Sequence, residues 1–335
     1  MQPENILEIK NLKVKFPVTG GLLLRKVAVV KAVDGVTLEL KKGETLGLVG
    51  ESGCGKSTIG KTVINILKFS SPDVEIAGEV WIRTDEGEID ILKLNSTAMR
   101  KHRGLIQMIF QDPYSSLNAR MSVGQIVEEP LLYHTNMQKK ERMERVAWLL
   151  EKVGLQAEQS KRYPHEFSGG QRQRIGIARA LATNPKIIIA DEPVSALDVS
   201  IQAQVINLLQ DIQNEFDLSL LFVAHDLSVV EHISSRIAVM YLGNIVELGP
   251  GVRIYHHPIH PYSRALLSAV PVPNPKFKNK DRIILKGDVP TPMNKPSGCG
   301  FRTRCPIAKA ECANFIPALE FKEFEHFAAC PYVNA

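Results

Sequence analysis

The segment Gly50-Glu51-Ser52-Gly53-Cys54-Gly55-Lys56-Ser57-Thr58 constrains the fold of this chain more than any other feature. It matches in full the phosphate-binding loop pattern, in which a glycine, four residues and Gly-Lys-Ser lie between a strand and a helix. A short aliphatic run, residues 45–49, precedes the loop, and the helix-like run 59–67 follows it. Strand, glycine loop and helix come in the required order, so an α/β P-loop fold is predicted.

The chemistry of such a loop indicates a nucleoside triphosphate as its ligand. Glycines let the backbone curl until consecutive N–H groups face one anion, and the following helix adds its positive end. Lys56 is expected to reach the β- and γ-phosphates, Ser57 to bind Mg²⁺ and Thr58 to hydrogen-bond an α-phosphate oxygen. The alternative is a chance glycine-rich turn. The predicted nucleotide contacts are Gly50, Ser52, Gly53, Cys54, Gly55, Lys56, Ser57 and Thr58.

A second segment supplies the acidic half of an ATPase site. The aliphatic run 187–190 is typical of a buried strand, and it leads directly into Asp191 and Glu192. Asp191 is predicted to hold Mg²⁺ through its water shell, and Glu192 to polarise the attacking water as general base. An aliphatic run before Asp-Glu is weak on its own, because many parallel strands end at a polar turn. The P-loop makes it informative.

Between these halves, residues 163–174 read Tyr-Pro-His-Glu-Phe-Ser-Gly-Gly-Gln-Arg-Gln-Arg and resemble the ABC-transporter signature. Ser168, Gly169, Gly170 and Gln171 at a helix start would form a second anion cradle. The alternative is that Ser168 is simply an N-cap, since serine is common there. Three further motifs support the resemblance: Gln111 is similar to the family's Q-loop glutamine, Asp198 ends a similar D-loop, and His225 follows a strand-like run where the family has its switch histidine.

This resemblance covers about residues 5–250 and implies the ABC ATPase fold: a mixed sheet with helices on both faces, an antiparallel β subdomain and a helical subdomain at about 112–170. It also implies a head-to-tail dimer in which the signature of one subunit closes over ATP bound by the other. Ser168, Gly169, Gly170 and Gln171 would therefore act on the partner's ATP, and Asp198 would act across the interface. The residues implied for the chain's own Mg–ATP are Lys56, Ser57, Thr58, Gln111, Asp191, Glu192 and His225. Among these, Ser57, Gln111 and Asp191 are the implied Mg²⁺ ligands, and Glu192, His225 and Gln111 are the implied catalytic residues.

Three local expectations accompany this fold. Residues 6–14 and 36–40 are typical of strands, and residues 141–153 predict an amphipathic helix in the helical subdomain. The family usually stacks an aromatic ring on adenine from a position before the P-loop, and Phe16 is the candidate. Its alternative is a core residue at the end of a strand.

The composition of the chain changes after about Gly249. Nine prolines occur within 47 residues, at positions 250, 258, 261, 271, 273, 275, 290, 292 and 296. This spacing predicts a separate appendage, residues 251–335, that does not continue the sheet. Two stretches, 257–267 and 298–306, resemble the C-terminal region of oligopeptide/dipeptide importer ATPases. The predicted domains are therefore an ATPase domain at 1–250 and a small irregular domain at 251–335.

Four of the five cysteines lie in that appendage: Cys299, Cys305, Cys312 and Cys330. A cytosolic chain is not expected to hold them as disulfides, and four thiolates can complete a metal shell. The tight cysteine pairs of structural zinc sites are absent, so a [4Fe-4S] cluster is favoured over Zn²⁺, helped by the resemblance. The remaining alternative is four buried free thiols. Cys54 is expected to be only a loop residue.

The resemblance implies an ATP-hydrolysing subunit of an oligopeptide or dipeptide importer. Three features resemble the F-type subunit of that family: the stretch 30–36, Tyr114 within the stretch 112–118, and Phe167 before the signature serine. A second, unlike D-type ATPase, two membrane permeases and an external substrate-binding protein are the implied partners. The implied location is peripheral, at the cytoplasmic face of the cell membrane. Related importers carry nickel chelates or short oligosaccharides, and the sequence does not separate these cargoes.

Composition argues against other classes. No apolar run approaches the length of a membrane span, and the start of the chain lacks a signal-peptide pattern. The net charge of +5 is spread along the chain, so no nucleic-acid partner is expected. A soluble ABC ATPase acting on nucleic acid or ribosomes usually has two ATPase domains in one chain, and this chain has a single set of motifs. An iron–sulfur redox protein would not need a complete hydrolysis site.

Overall fold

A computed structural model describes residues 4–20, 25–270 and 283–334. Pro271, Pro273 and Pro275 of the proline-rich region lie outside the described residues. The strands in the described ranges are β1 Asn5–Gly20, β2 Arg25–Lys41, β3 Thr45–Val49, β4 Glu75–Thr84, β5 Gly87–Asp90, β6 Ile106–Ile109, β7 Ile187–Asp191, β8 Ser219–Ala224, β9 Arg236–Tyr241, β10 Asn244–Pro250, β11 Glu320–Glu323 and β12 His326–Ala328.

The helices alternate with these strands. The α-helices of the described residues are α1 Lys56–Val63, α2 Leu67–Ser70, α3 Ser96–His102, α4 Val123–His134, α5 Lys139–Lys152, α6 Gly169–Leu181, α7 Val199–Phe216, α8 Leu227–Ile233, α9 Gly251–His256 and α10 Pro261–Ser268. No helix within the described ranges is long and apolar enough to cross a membrane.

Contacts divide the chain into two compact units. Unit 1 contains residues 1–6, 40–44 and 83–223, and unit 2 contains residues 7–39, 45–82 and 224–335. The P-loop and the whole C-terminal region therefore belong to unit 2, whereas the acidic segment and the signature belong to unit 1. The domain boundary placed at residue 250 stays a prediction.

Unit 1 is built around three parallel strands. β7 pairs with β6 on one side and with β8 on the other, both in parallel register. Every residue of β7 and β8 is buried, which is typical of a parallel strand covered on both faces. The helix predicted at 141–153 is observed as α5 Lys139–Lys152, with Val146, Leu149 and Leu150 buried.

Unit 2 contains two sheet segments. In one, β1 pairs with β4 in antiparallel register, and in the other, β3 runs parallel to β9 while β10 runs antiparallel to β9. The strands expected at 6–14 and 36–40 are parts of the longer β1 and β2. The helix expected at 59–67 is wrong at its end: α1 stops at Val63, because Asn65 takes the left-handed conformation at φ 52°.

The C-terminal region does continue the sheet, so the expectation that it would not is wrong. β12 pairs with β10 in antiparallel register, with Glu247 opposite Ala328, and β11 pairs with β12. Behind this edge, Ile259, Ala328 and Val333 form a small apolar cluster with Cys330. Two strands of only four and three residues, late in a proline-rich segment, carry too little periodicity to be recognised in the sequence.

Candidate nucleotide-binding site

The P-loop connects β3 to α1 in unit 2, and its glycines are required by shape. A Cβ atom on Gly50 would lie 2.2 Å from the carbonyl oxygen of Met240, and one on Gly55 would lie 2.1 Å from that of Ala32. Both residues also have positive φ, 154° and 112°. Only glycine fits a backbone that approaches its neighbours this closely.

Lys56 is enclosed by this loop. Its side chain is 3% exposed, and its Nζ donates to the carbonyl oxygens of Gly50 at 2.8 Å and Glu51 at 3.2 Å. The ammonium group is therefore held at the centre of the loop, with Ser57 and Thr58 in the first turn of α1 beside it. Burial raises the pKa of the neighbouring Cys54 thiol, which favours the neutral form and agrees with an inert loop residue.

In unit 1, the hydrolytic candidates meet at the end of β7. Asp191 is the last residue of the strand and is 3% exposed. Glu192 follows with φ 46°, an uncommon conformation for a non-glycine residue, and its N–H donates to the carbonyl oxygen of Val223 at 2.9 Å. Gln111 Nε2 donates to Glu192 Oε2 at 2.8 Å. The structure thus brings together two residues that lie 81 positions apart in the sequence.

The signature segment forms the start of α6, as predicted. Ser168 is the N-cap: its Oγ accepts from the N–H of Gln171 at 3.4 Å, and its own N–H donates to Gln171 Oε1 at 3.0 Å. This reciprocal pair is a capping box. A Cβ on Gly170 would lie 2.5 Å from Ile201 Cγ2, so glycine allows α6 to pack closely on α7. Ser168 is therefore the N-cap of α6, and its contact with a partner's ATP stays a prediction.

The other motif residues have the following positions. Ser195 Oγ donates to the carbonyl oxygen of Glu192 at 3.1 Å, which ties the loop before α7 to the end of β7. Asp198 is exposed at the N-terminus of α7, and His225 is exposed directly after β8. Phe16 is half-buried in β1. Its role against adenine stays a prediction.

The four C-terminal cysteines lie in neighbouring loops of unit 2. The N–H of Cys299 donates to the carbonyl oxygen of Cys312 at 2.8 Å, and Cys312 Sγ accepts from the N–H of Lys309. Burial, and secondarily the other three thiols, raises the pKa of Cys305 to about 11. Even so, no three His, Cys, Asp or Glu side chains within the described residues are arranged as a metal site. The structure therefore does not support the predicted cluster or the zinc alternative.

Two contacts at the P-loop are not indicated by any local sequence pattern. Arg304 pairs with the carboxylate of Glu51, and the phenol oxygen of Tyr262 accepts from the N–H of Glu51. Arg304 and Glu51 are 253 positions apart, and nothing in either local pattern indicates the other.

Two families match the chain. The ABC transporter family matches residues 33–195, and the oligopeptide/dipeptide transporter C-terminal region matches residues 246–312. The oligopeptide transport ATP-binding protein AppF of Bacillus subtilis is 54% identical over 331 residues, which cover 98% of this chain and 97% of AppF. The oligopeptide transport ATP-binding protein OppF of Escherichia coli is also 54% identical, over 98% of this chain and 96% of OppF.

Solved structures share the fold. The dimeric ATP-binding cassette MJ0796, in a post-hydrolysis state bound to ADP and Pi, superposes with a TM-score of 0.61 at 30% identity. The match covers 73% of this chain and 98% of that one. The predicted fold class is therefore confirmed.

Proposed function

The chain belongs to the ABC transporter ATP-binding subunits, in the oligopeptide transport branch, and from this premise we propose that it hydrolyses ATP to drive the import of oligopeptides. The observation that carries the peptide assignment is the extent of the similarity. Relatives named for oligopeptide transport match 98% of the chain, and the oligopeptide/dipeptide transporter C-terminal region matches residues 246–312, whereas the match to MJ0796 covers 73% of the chain. The resemblance seen in the motifs is confirmed.

The individual residues have distinct proposed roles. Lys56 would neutralise the β- and γ-phosphates, and Thr58 would hydrogen-bond the α-phosphate. Ser57 would hold Mg²⁺ directly, and Asp191 would hold it through its water shell. Bound Mg²⁺ would offset charge between the phosphates. Glu192 accepts the proton of the attacking water, and Gln111, hydrogen-bonded to it, holds that carboxylate in place.

The remaining motif residues complete this scheme. His225 would contact the γ-phosphate side of the same nucleotide. The segment Ser168–Gln171 would serve the ATP of a partner ATPase, with Asp198 at the interface. The capping box leaves the Ser168 side chain exposed at the N-terminus of α6, where an anion is favoured.

Substitution of the proposed base tests the hydrolysis step. Glu192→Gln keeps the hydrogen-bonding shape but cannot accept the proton, so we expect ATP turnover to fall by about 10²- to 10⁴-fold while ATP binding is retained. Phosphate release and equilibrium binding are measured in parallel, with Glu39→Gln, an exposed residue of β2, as the matched control. Turnover at the unsubstituted rate would show that Glu192 is not the base.

The partners form the second part of the proposal. We propose that a D-type ATPase, two permeases and an external binding protein complete the importer, and that this subunit lies on the cytoplasmic face of the membrane. Its ATPase rate in reconstituted vesicles is expected to rise with a peptide-loaded binding protein. Stimulation by nickel chelates or short oligosaccharides instead would replace the peptide assignment and leave the ATPase role intact.

A [4Fe-4S] cluster on Cys299, Cys305, Cys312 and Cys330 is a further proposal. The donor chemistry fits, because four thiols lie close enough to influence one another's pKa values, although they are not arranged as a metal site in this structure. Such a cluster would cross-link the C-terminal loops.

The metal content of protein purified without oxygen tests this proposal. We expect about four irons per chain and an absorbance band near 400 nm, both lost in Cys299→Ser and kept in Cys54→Ser. Stoichiometric zinc without colour would replace the cluster by a structural metal site. Absence of both metals would leave four free thiols and reject the proposal.

A further inference from the structure

Two side chains of the C-terminal region hold the second residue of the P-loop. Arg304 Nη1 donates to Glu51 Oε2 at 2.9 Å and Arg304 Nη2 donates to Glu51 Oε1 at 3.2 Å, which makes a bidentate ion pair. The N–H of Glu51 donates to the phenol oxygen of Tyr262 at 2.9 Å. All three residues lie in unit 2.

These contacts are shielded from water. The Arg304 side chain is 9% exposed, that of Glu51 is 27% exposed and Tyr262 is fully buried. Bidentate guanidinium–carboxylate pairs fix geometry as well as charge, and partial burial reduces their screening by salt. The pair therefore differs from the exposed ion pairs at the surface, which contribute little.

An aromatic cluster fixes the segment that carries Arg304. The Phe301 ring packs against those of Tyr241 and Tyr262, with centroids 5.2 and 5.5 Å away, and Phe301 is 2% exposed. Tyr241 is the last residue of β9 and Tyr262 lies in α10. Arg304 lies three residues after Phe301, so the packing of the Phe301 ring fixes the position from which Arg304 contacts the P-loop.

Glu51 also makes hydrogen bonds within the P-loop itself. Its carbonyl oxygen accepts from Lys56 Nζ at 3.2 Å and from the N–H of Cys54 at 3.3 Å. The orientation of this one residue consequently affects both the phosphate-binding ammonium and the curl of the loop. Its N–H, its carbonyl and its carboxylate are all engaged, two of the three by the C-terminal region.

Charge gives a second reason for the pairing. A carboxylate at the second position of a phosphate-binding loop repels a triphosphate unless a cation neutralises it. Arg304 is the cation paired with Glu51. Removing Arg304 would both release the loop and uncover a negative charge close to the phosphates.

We propose that Arg304 and Tyr262 are positioning residues for the nucleotide site: they hold and neutralise Glu51, so that ATP affinity depends on the C-terminal region. This inference rests on the proposed function, because it assumes that the P-loop binds ATP. It assigns to the C-terminal region a role in nucleotide binding that is separate from any metal it holds.

The test is equilibrium binding of a fluorescent Mg–ATP analogue to the full-length protein. Arg304→Met is expected to raise Kd about ten-fold, and Tyr262→Phe, which loses one hydrogen bond, about three-fold. The double variant Arg304→Met with Glu51→Gln removes the exposed charge, and its Kd should return to within about three-fold of the original. This rescue distinguishes positioning and neutralisation from a general loss of structure.

Arg302→Met is the matched control. Arg302 also lies between Cys299 and Cys305, but its guanidinium bonds to Ser297, so its Kd should not change. Equal effects of Arg302→Met and Arg304→Met, or an Arg304→Met protein that binds normally, would overturn the inference. If Arg304→Met does not fold, Tyr262→Phe decides: the expected rise in Kd of about three-fold supports the inference, and an unchanged Kd overturns it.

Failure of the inference can be told apart from failure of the proposed function. Lys56→Ala, compared with the unsubstituted protein, shows whether the P-loop binds ATP at all. If the unsubstituted protein binds and Lys56→Ala does not, the function stands, and the Arg304 series alone decides the inference. If the unsubstituted protein does not bind, both are rejected.

Discussion

Lowering the pH from 7.5 to 5 should destabilise this protein through one buried histidine. His260 is 2% exposed, and burial lowers its pKa from 6.5 to about 4, although Glu247 acts in the opposite direction. Its Nδ1 accepts from the N–H of Tyr262 at 3.2 Å, which makes neutral His260 the N-cap of α10. Protonation would remove this acceptor and place a charge in the core.

The magnitude follows from the two pKa values. Since the folded state binds the proton less tightly than the unfolded state, stability is fully present above pH 6.5 and is lost as the pH falls towards 4. At pH 5 the loss from His260 is about 2 kcal/mol, and it approaches about 3 kcal/mol below pH 4. The charged and titratable groups at this site are Glu247, whose carboxylate accepts from the N–H of His260, and His326, which pairs with that carboxylate.

His260→Asn isolates this contribution, because asparagine is a good N-cap and does not titrate. The free energy of urea unfolding is measured at pH 7.5 and pH 5 for both proteins. We expect the pH-dependent loss to be about 2 kcal/mol smaller in the variant, whatever the constant cost of the smaller side chain. His257→Asn, an exposed neighbour, should keep the full loss. Identical pH dependence in His260→Asn and the unsubstituted protein would refute the reasoning.

Two glycine- and serine-dependent features give further predictions. In Gly55→Ala, the new Cβ would lie 2.1 Å from the Ala32 carbonyl oxygen, so we expect Kd for Mg–ATP to rise at least about ten-fold. A smaller effect is expected for Gly53→Ala: its φ of 79° strains an alanine, but apart from its chain neighbours no atom of the described residues lies within 4 Å of the new Cβ. Ser168→Ala loses the cap of α6 and about 1 kcal/mol of stability, measured by urea unfolding. Ser168→Asn keeps an N-cap. If the ATPase rate falls equally in Ser168→Ala and Ser168→Asn, the lost activity is due to a lost contact with the partner's ATP and not to the lost cap.

The sequence predicts well the two buried strands that lead into the P-loop and into the acidic segment. The aliphatic runs 45–49 and 187–190 are both strands in the structure, and the second strand extends by one residue to Asp191, because a parallel strand covered on both faces is rich in aliphatic residues. The N-cap at Ser168 is equally readable, since Ser-x-x-Gln is a local pattern that satisfies its own hydrogen bonds.

Other features could not be read from the sequence because they depend on distant residues. The end of α1 was placed too late, since whether Asn65 turns left-handed is decided by its surroundings and not by the apolar period. The Glu51–Arg304 pair joins two charged residues in polar segments, and each alone resembles an ordinary surface charge. Only the fold shows that Phe301 is buried and that Arg304, three residues later, reaches Glu51.

The C-terminal region is part of the core of unit 2 and not a separate appendage. Glu247 in β10 is fully buried, and its carboxylate accepts from the N–H groups of Ile259 and His260 and contacts His326 Nε2 at 2.7 Å. Glu51, which is partly exposed, pairs with Arg304 of the same region. A buried carboxylate without donors is strongly destabilising, so Glu247 relies on the donors that residues 259, 260 and 326 supply. The C-terminal region therefore supplies partners to two carboxylates of unit 2, and one of these carboxylates belongs to the nucleotide-binding loop.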